Sequence, residues 1–383
     1  MRKIPYGCQS ISAEDIDSVV EVLRSEFITQ GPVVKNFENT VVSQCGSKYA
    51  IAYNSATSAL FASCKALELG PGDEIWTSPI SFVASANCGL YCGAKVDFVD
   101  IDSRTYNIDP NLLEEKLKAH SQFNRLPKIL VVVHFSGQSA DMKSIFEICQ
   151  KYGVRLIEDA SHAVGARYLG LPVGSCRYSD ITVFSYHPVK IITTGEGGVA
   201  TTNDKILADS LRIFREHGIT RDKSKFNLSC QGEWYYEQQS LGFNFRMTDI
   251  QAALGISQYS KLVEFIETRD KLARRYNELL KNVNVILPYV SEYSDSSWHL
   301  YVVKVKEDKR TEVFNFLREN GILVNVHYIP IHTQPYYIDM GFKKGDFPEA
   351  ESYYSQAISL PIHPKLTLED QNYITNLLCQ IAG

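Results

Sequence analysis

The chain has 383 residues, 44% of them hydrophobic and 22% charged, with a net charge of −5. That composition is ordinary for a water-soluble globular protein, and the length allows two domains with separate cores. No basic run stands out, which argues against a nucleic-acid partner, and the longest apolar stretch, 129–133, is far too short to cross a bilayer.

At the amino terminus, Met1-Arg2-Lys3 is followed by Ile-Pro-Tyr-Gly, with no apolar leader core, so a cytoplasmic location is expected. From Tyr49 to Asn203, β-rich runs alternate with helical ones. The pattern predicts strands over 50–54, 74–79, 95–101, 129–135, 155–158, 181–185 and 199–202, with helices such as 58–69, 82–92 and 144–152 between them. Such alternation requires crossover connections, so the expected class is α/β, with a largely parallel sheet covered on both faces. The run 129–135 lacks polar alternation, as a strand buried on both faces does. Turns are marked by Gly70-Pro71-Gly72-Asp73, Gly93, Gly137 and Gly153.

The polar stretch 222–232 reads as a loop. After Asn244 a helical stretch over 248–280, broken once, leads away from the sheet. A strand over 298–306, a helix over 311–320, a strand over 322–327 and a closing helix over 368–381 then suggest a smaller α+β unit. The change of domain is expected near residue 250, giving a large domain of 1–250 and a small one of 251–383. The nine cysteines lack CxxC spacing. Cys88 and Cys92 lie four apart without a histidine or second cysteine pair, and read as buried free thiols. No metal is expected.

Several positions carry chemistry. Asn54-Ser55-Ala56-Thr57-Ser58-Ala59 follows a predicted strand and opens a helix. The first turn of a helix offers free N–H groups and a positive dipole end, which suits a phosphate, and Thr57 adds a hydroxyl. The same residues would also serve as a plain helix cap. Phe82 lies past the next strand, either as a ring to stack on a ligand or as core. Asp159 stands at the carboxyl end of the strand that carries the apolar run Leu156-Ile157, where an unpartnered carboxylate would be costly, and a helix N-cap is its other reading. His162 reads, on its own, as a core histidine. Lys190 ends Phe184-Ser185-Tyr186-His187-Pro188-Val189-Lys190 and precedes Ile191 and Ile192, a setting too apolar for an idle ammonium. Lys190 and Asp159 are 31 residues apart (190 − 159). A buried amine opposite a carboxylate at neighbouring strand ends is what a pyridoxal 5'-phosphate enzyme needs. The amine holds the aldehyde, and the carboxylate keeps the pyridine nitrogen protonated.

These stretches, with Gly195-Glu196-Gly197-Gly198 beyond them, resemble the DegT/DnrJ/EryC1/StrS family of sugar aminotransferases, and the likeness runs from Tyr6 to the final helix. The resemblance implies a pyridoxal phosphate-dependent transferase of fold type I, built like aspartate aminotransferase, and a homodimer. It implies that Ala56, Thr57 and Ser185 hold the cofactor phosphate, that Phe82 stacks on its ring, that Asp159 meets the ring nitrogen and that His162 reaches the phenolic oxygen. Lys190 would carry the aldehyde and then move a proton between donor and cofactor. Asn244, in Gly242-Phe243-Asn244-Phe245-Arg246-Met247, resembles a family residue that reaches the phosphate of the neighbouring subunit; a simple loop before a helix is the alternative. Relatives with histidine in place of this lysine dehydrate their sugars, so the lysine implies transamination.

For the substrate, Phe27-Ile28-Thr29-Gln30-Gly31-Pro32 resembles a family segment that borders the sugar, with Tyr6 near it. Asn325-Val326-His327-Tyr328 matches a signature that lines the nucleotide-sugar cleft, and His187 is counted with it. The plainer reading is a tyrosine-rich loop packing one domain on the other. Residues 78–84, 184–187 and 325–328 look closest to members of the pseudaminic acid pathway. Those members aminate C4 of a UDP-linked 4-keto-6-deoxy-N-acetylhexosamine, with glutamate as the usual donor. The alternatives are another nucleotide ketosugar, and a binding protein without catalysis.

Overall fold

The computed structural model describes residues 3–123 and 125–382; Met1 and Arg2, part of the stretch read for a leader, lie outside them. In chain order, β1 (Ile4–Pro5), α1 (Ala13–Arg24) and α2 (Pro32–Cys45) lead into β2 (Tyr49–Tyr53) and α3 (Ala56–Ala66). There follow β3 (Glu74–Thr77), α4 (Ala84–Tyr91), β4 (Lys95–Phe98), α5 (Pro110–Ser121), β5 (Ile129–Val133), α6 (Met142–Tyr152) and β6 (Arg155–Asp159). A hairpin of β7 (Arg167–Tyr168) and β8 (Leu171–Pro172) precedes β9 (Ile181–Ser185), β10 (Gly198–Thr202), α7 (Lys205–Arg215), α8 (Asp249–Tyr259) and α9 (Leu262–Leu280).

Seven strands form the central sheet in the order β2-β10-β9-β6-β5-β3-β4, and β10 alone runs against the others. The expected α/β class, mostly parallel and covered by helices, is what the chain adopts. All five residues of β5 are buried. Successive side chains point to opposite faces, so Ile129 and Val131 enter the core under α3 while Leu130 and Val132 meet Leu113, Leu117 and Ile145 of α5 and α6. Helix α6 shows why the sequence folds this way locally. Asp141 caps its start through the Ser144 amide, Met142, Ile145 and Cys149 share one buried face, and Gly153 closes it at φ 71°.

Three predicted strands are shorter than expected at their carboxyl ends: 74–79 stops at Thr77, 95–101 at Phe98 and 129–135 at Val133. The apolar residues beyond them leave the ladder yet stay buried beneath later segments, so hydrophobicity alone overextends the strands. The strand expected over 322–327 is only Ile322–Leu323, because Asn325 turns to bridge Ser359. That over 298–306 shrinks to Tyr301–Lys304, antiparallel to Ala357–Leu360, with Trp298 before it at φ 51°. The long helix breaks at Ser260 and Lys261, between α8 and α9. Helix α9 serves two cores. Leu262 and Phe265 pack beside the sheet, whereas Leu272, Tyr276 and Leu280 join Tyr301, Val303 and Leu378 in a second cluster. Cys88 and Cys92 are buried free thiols, while Cys230 and Cys379 are exposed. Among the described residues, no helix is long and apolar enough to cross a membrane.

Candidate active site

The register sets the site. Val133 of β5 pairs with Asp159 of β6, and Asp159 pairs in turn with Val183 of β9. Ser185 of β9 lies opposite Gly198, which lies opposite Tyr53 of β2. The ends of four strands therefore meet along the carboxyl edge of the sheet, where crevices open in α/β folds. A cavity of about 500 Å³ lies there. Tyr6, Ala56, Thr57, Phe82, Asp159, His162, Ser185, His187, Lys190, Asn325, Val326, His327 and Tyr328 all line it. A wider groove of about 670 Å³, between Asp102, Asp141 and Tyr289, holds none of these residues.

At the head of α3, Ser55 Oγ accepts from the Ser58 amide at 3.1 Å, and the Ser58 hydroxyl donates to Asn54 Oδ1 at 2.7 Å. Ser55 is thus the helix cap. Among the described residues, the amides of Ala56 and Thr57 meet no acceptor, and both residues border the cavity.

Asp159 is buried, with both oxygens engaged. Oδ2 accepts from the Ser85 hydroxyl at 2.6 Å, and Oδ1 from the Ser161 amide at 3.1 Å. Lys190 is partly exposed by area because it opens onto the cavity, yet its amine is surrounded by protein. That burial lowers its pKa to about 8, opposed by the charge of Asp159. Phe82 is 60% exposed, too much for a core residue, and its ring centroid lies 6.2 Å from that of Tyr328.

The Ser136 amide donates to His162 Nδ1 at 3.3 Å. That nitrogen must then be unprotonated, so Nε2 carries the hydrogen and donates to the Tyr328 hydroxyl at 2.9 Å. Burial, and then the charge of Lys190, hold His162 neutral, well below the usual histidine range. His327 Nδ1 lies 2.8 Å from Ser359 Oγ, and burial followed by the Lys190 charge lowers its pKa to about 3. The Tyr6 ring lies 4.9 Å from the His327 ring.

Five predicted site residues stand apart from the cavity in the single chain. Phe27 and Ile28 are exposed on the surface, Thr29 bridges Thr248, Gln30 takes a left-handed φ of 57°, and Asn244 bridges Glu216. Sequence reasoning also missed Ser81, Ser85 and the Ser136 amide. The i,i+4 serine pair just past a strand end was the one available signal for the first two. Among the described residues, no cluster of three or more histidine, cysteine, aspartate or glutamate side chains could hold a metal ion.

Residues 9–379 match the DegT/DnrJ/EryC1/StrS aminotransferase family. The chain is 40% identical over 375 residues to the spore coat polysaccharide biosynthesis protein SpsC of Bacillus subtilis, covering 96% of this chain and 94% of that one. It is 35% identical over 383 residues to the UDP-4-amino-4,6-dideoxy-N-acetyl-beta-L-altrosamine transaminase of Campylobacter jejuni, covering 99% and 97%. Its fold superposes with a TM-score of 0.91 on Helicobacter pylori PseC, an aminotransferase involved in the biosynthesis of pseudoaminic acid, at 32% identity and covering 100% and 99%.

Proposed function

The chain belongs to the DegT/DnrJ/EryC1/StrS aminotransferase family, and on that footing we propose that it binds pyridoxal 5'-phosphate at Lys190 and transfers an amino group from glutamate to C4 of a UDP-linked 4-keto-6-deoxy-N-acetylhexosamine. The observation that carries this reading is the meeting of Lys190, Asp159 and the free amides of α3 around one cavity.

The residues present fit that cofactor. Two unpaired amides at a positive helix end, with the hydroxyls of Thr57 and Ser185, suit a phosphate dianion. A buried carboxylate suits a protonated ring nitrogen, and the exposed face of Phe82 suits a flat heterocycle. When bound, the group supplies an aldehyde and an electron-accepting ring.

The side chains divide the remaining work. With a pKa near 8, about a tenth of Lys190 is neutral at pH 7, against well under a thousandth for an ordinary lysine. Nζ can therefore attack a carbonyl carbon, and can later accept a proton from Cα of the donor and release it again. Asp159, fixed through both oxygens, accepts a hydrogen bond from a ring N–H. Thr57 and Ser185 orient the phosphate. Asn325 and His327 offer polar atoms to the sugar nucleotide, and His327, being neutral, adds no charge of its own.

The substrate class rests on the likeness to the Campylobacter and Helicobacter enzymes. The similarity to SpsC, named for a different polysaccharide, favours as a second reading another nucleotide-linked ketosugar. A homodimer belongs to the proposal. Leu228, Trp234 and Leu241 are each more than two-thirds exposed in the segment before Asn244, and such apolar residues suit burial against a second copy. Residues 1–250 and 251–383 would be its large and small domains.

The test is to incubate the purified enzyme with glutamate and, separately, UDP-, dTDP- and GDP-linked 4-ketosugars, and to read the products by mass spectrometry. A UDP-linked 4-amino sugar is expected. Amination of only the dTDP or GDP substrate would replace the substrate class, and no amination of any would refute the reading.

A further inference from the structure

Behind Asp159 stand two hydroxyls that the reaction chemistry above does not use, the first bonded to the carboxylate and the second to the first. Ser85, in the first turn of α4, is fully buried, and its Oγ lies 2.6 Å from Asp159 Oδ2. Ser81, also buried, places its Oγ 2.6 Å from Ser85 Oγ. A carboxylate can only accept, so Ser85 gives its single hydroxyl proton to Asp159 and must accept that of Ser81. The relay therefore runs one way, from Ser81 through Ser85 to Asp159. With the Ser161 amide on the other oxygen, the plane of the carboxylate is fixed from both sides. The same serine is bound to the aromatic turn, because its amide donates to the Phe82 carbonyl at 3.2 Å.

Resting on the reading of Lys190 and Asp159 given above, we propose that Ser85, oriented by Ser81, is a positioning residue that aims the carboxylate of Asp159 and couples it to the turn carrying Phe82. Hydrogen bonds to a buried charge are the strong class, and a carboxylate freed on one side can rotate away from its partner. The effect belongs in the chemical step and in the electronic state of the bound cofactor, not in binding of the sugar nucleotide.

The experiment uses the full-length enzyme loaded with pyridoxal phosphate, with Ser85→Ala, Ser81→Ala and Ser85→Thr. Single-turnover bleaching of the visible band by glutamate is expected to slow about 10- to 100-fold in Ser85→Ala and less in Ser81→Ala. The pH midpoint of that band should move in both, while KM for the ketosugar stays within about twofold. Ser85→Thr, which keeps the hydroxyl, should restore most of the rate and the original midpoint. A wild-type rate and unmoved midpoint in Ser85→Ala would overturn the assignment. So would a slower rate accompanied by a raised KM and an unmoved midpoint, the mark of a packing defect. Should Ser85→Ala not fold, Ser81→Ala must still move the midpoint, and an unmoved one overturns the relay. A wild-type protein that takes up no pyridoxal phosphate would instead overturn the reading of the site, and the assignment with it.

Discussion

His162 Nε2 stands 2.9 Å from the hydroxyl of Tyr328, so a loop at the sheet edge is bonded to a segment 166 residues further along the chain. The Ser136 amide forces the direction of that bond, and Ser136 is itself held at φ 64°. Tyr328→Phe leaves a buried imidazole N–H without its acceptor. The expected cost is about 1–3 kcal/mol of stability, read as a lower urea midpoint, with cofactor uptake retained. An unchanged midpoint would show that the imidazole finds another acceptor.

The depressed basicity of Lys190 predicts how the apoprotein captures its cofactor. Only the neutral amine attacks an aldehyde, so the initial rate of pyridoxal phosphate uptake should rise with pH and level off above about 8. The linkage has a definite sign. The folded pKa lies below the unfolded one, so between about 8 and 10.4 the unfolded chain binds more protons, and this lysine's contribution to apoprotein stability grows as pH rises through that window. Stopped-flow absorbance gives the midpoint, and a value near 10 would show an ordinary exposed lysine.

Gly198 makes room for the phosphate turn. A Cβ there would stand 2.6 Å from Ala56 Cα and from the Ser55 carbonyl carbon, and would also press on the Ala56 amide. Gly198→Ala must shift the head of α3, at about 1–3 kcal/mol. Weaker retention of pyridoxal phosphate in equilibrium dialysis, by tenfold or more, is the expected outcome, with a lowered Tm. Full retention would mean that the turn does not hold the phosphate.

Four histidines are kept neutral by burial: His327 at a pKa of about 3, His363 at about 4, and His162 and His299 well below the normal range. Each costs nothing above about pH 6.5, but below it the unfolded chain takes up protons that the folded one refuses. Stability should therefore fall as pH drops from about 6.5 toward 4. Replacing one of them, as in His327→Asn, should make the decline of Tm with acid shallower. A slope identical to wild type would assign the acid sensitivity to the carboxylates instead.

Much of this was legible beforehand, and the reasons are local. Each strand of the central sheet was expected from its β-rich run, most plainly at 129–133, whose unbroken apolar run is what burial on two faces requires. Lys190 and Asp159 stood out because a chargeable group among apolar residues near a strand end is costly, and Thr57 because it opens a helix just after a strand. What did not show depends on tertiary contact. Helix α1 carries five charged residues, and its buried Asp15, besides the local bonds from Ser12, is held by Ser257, Gln258 and Lys261 from far along the chain. Strand 322–327 failed because Asn325 bonds to Ser359, a partner no local pattern reveals. The role of Ser85 was hidden because a serine two residues into a helix looks like any other.

The central claim is tested most directly by the absorption spectrum of the purified protein. It would be followed through additions of pyridoxal phosphate, glutamate and UDP-linked 4-keto-6-deoxy-N-acetylhexosamine, with Lys190→Ala alongside. A visible band that bleaches with glutamate and returns with the ketosugar, absent from the variant, is the predicted result. A protein that acquires no band, or a Lys190→Ala variant that completes the cycle at the wild-type rate, would contradict it.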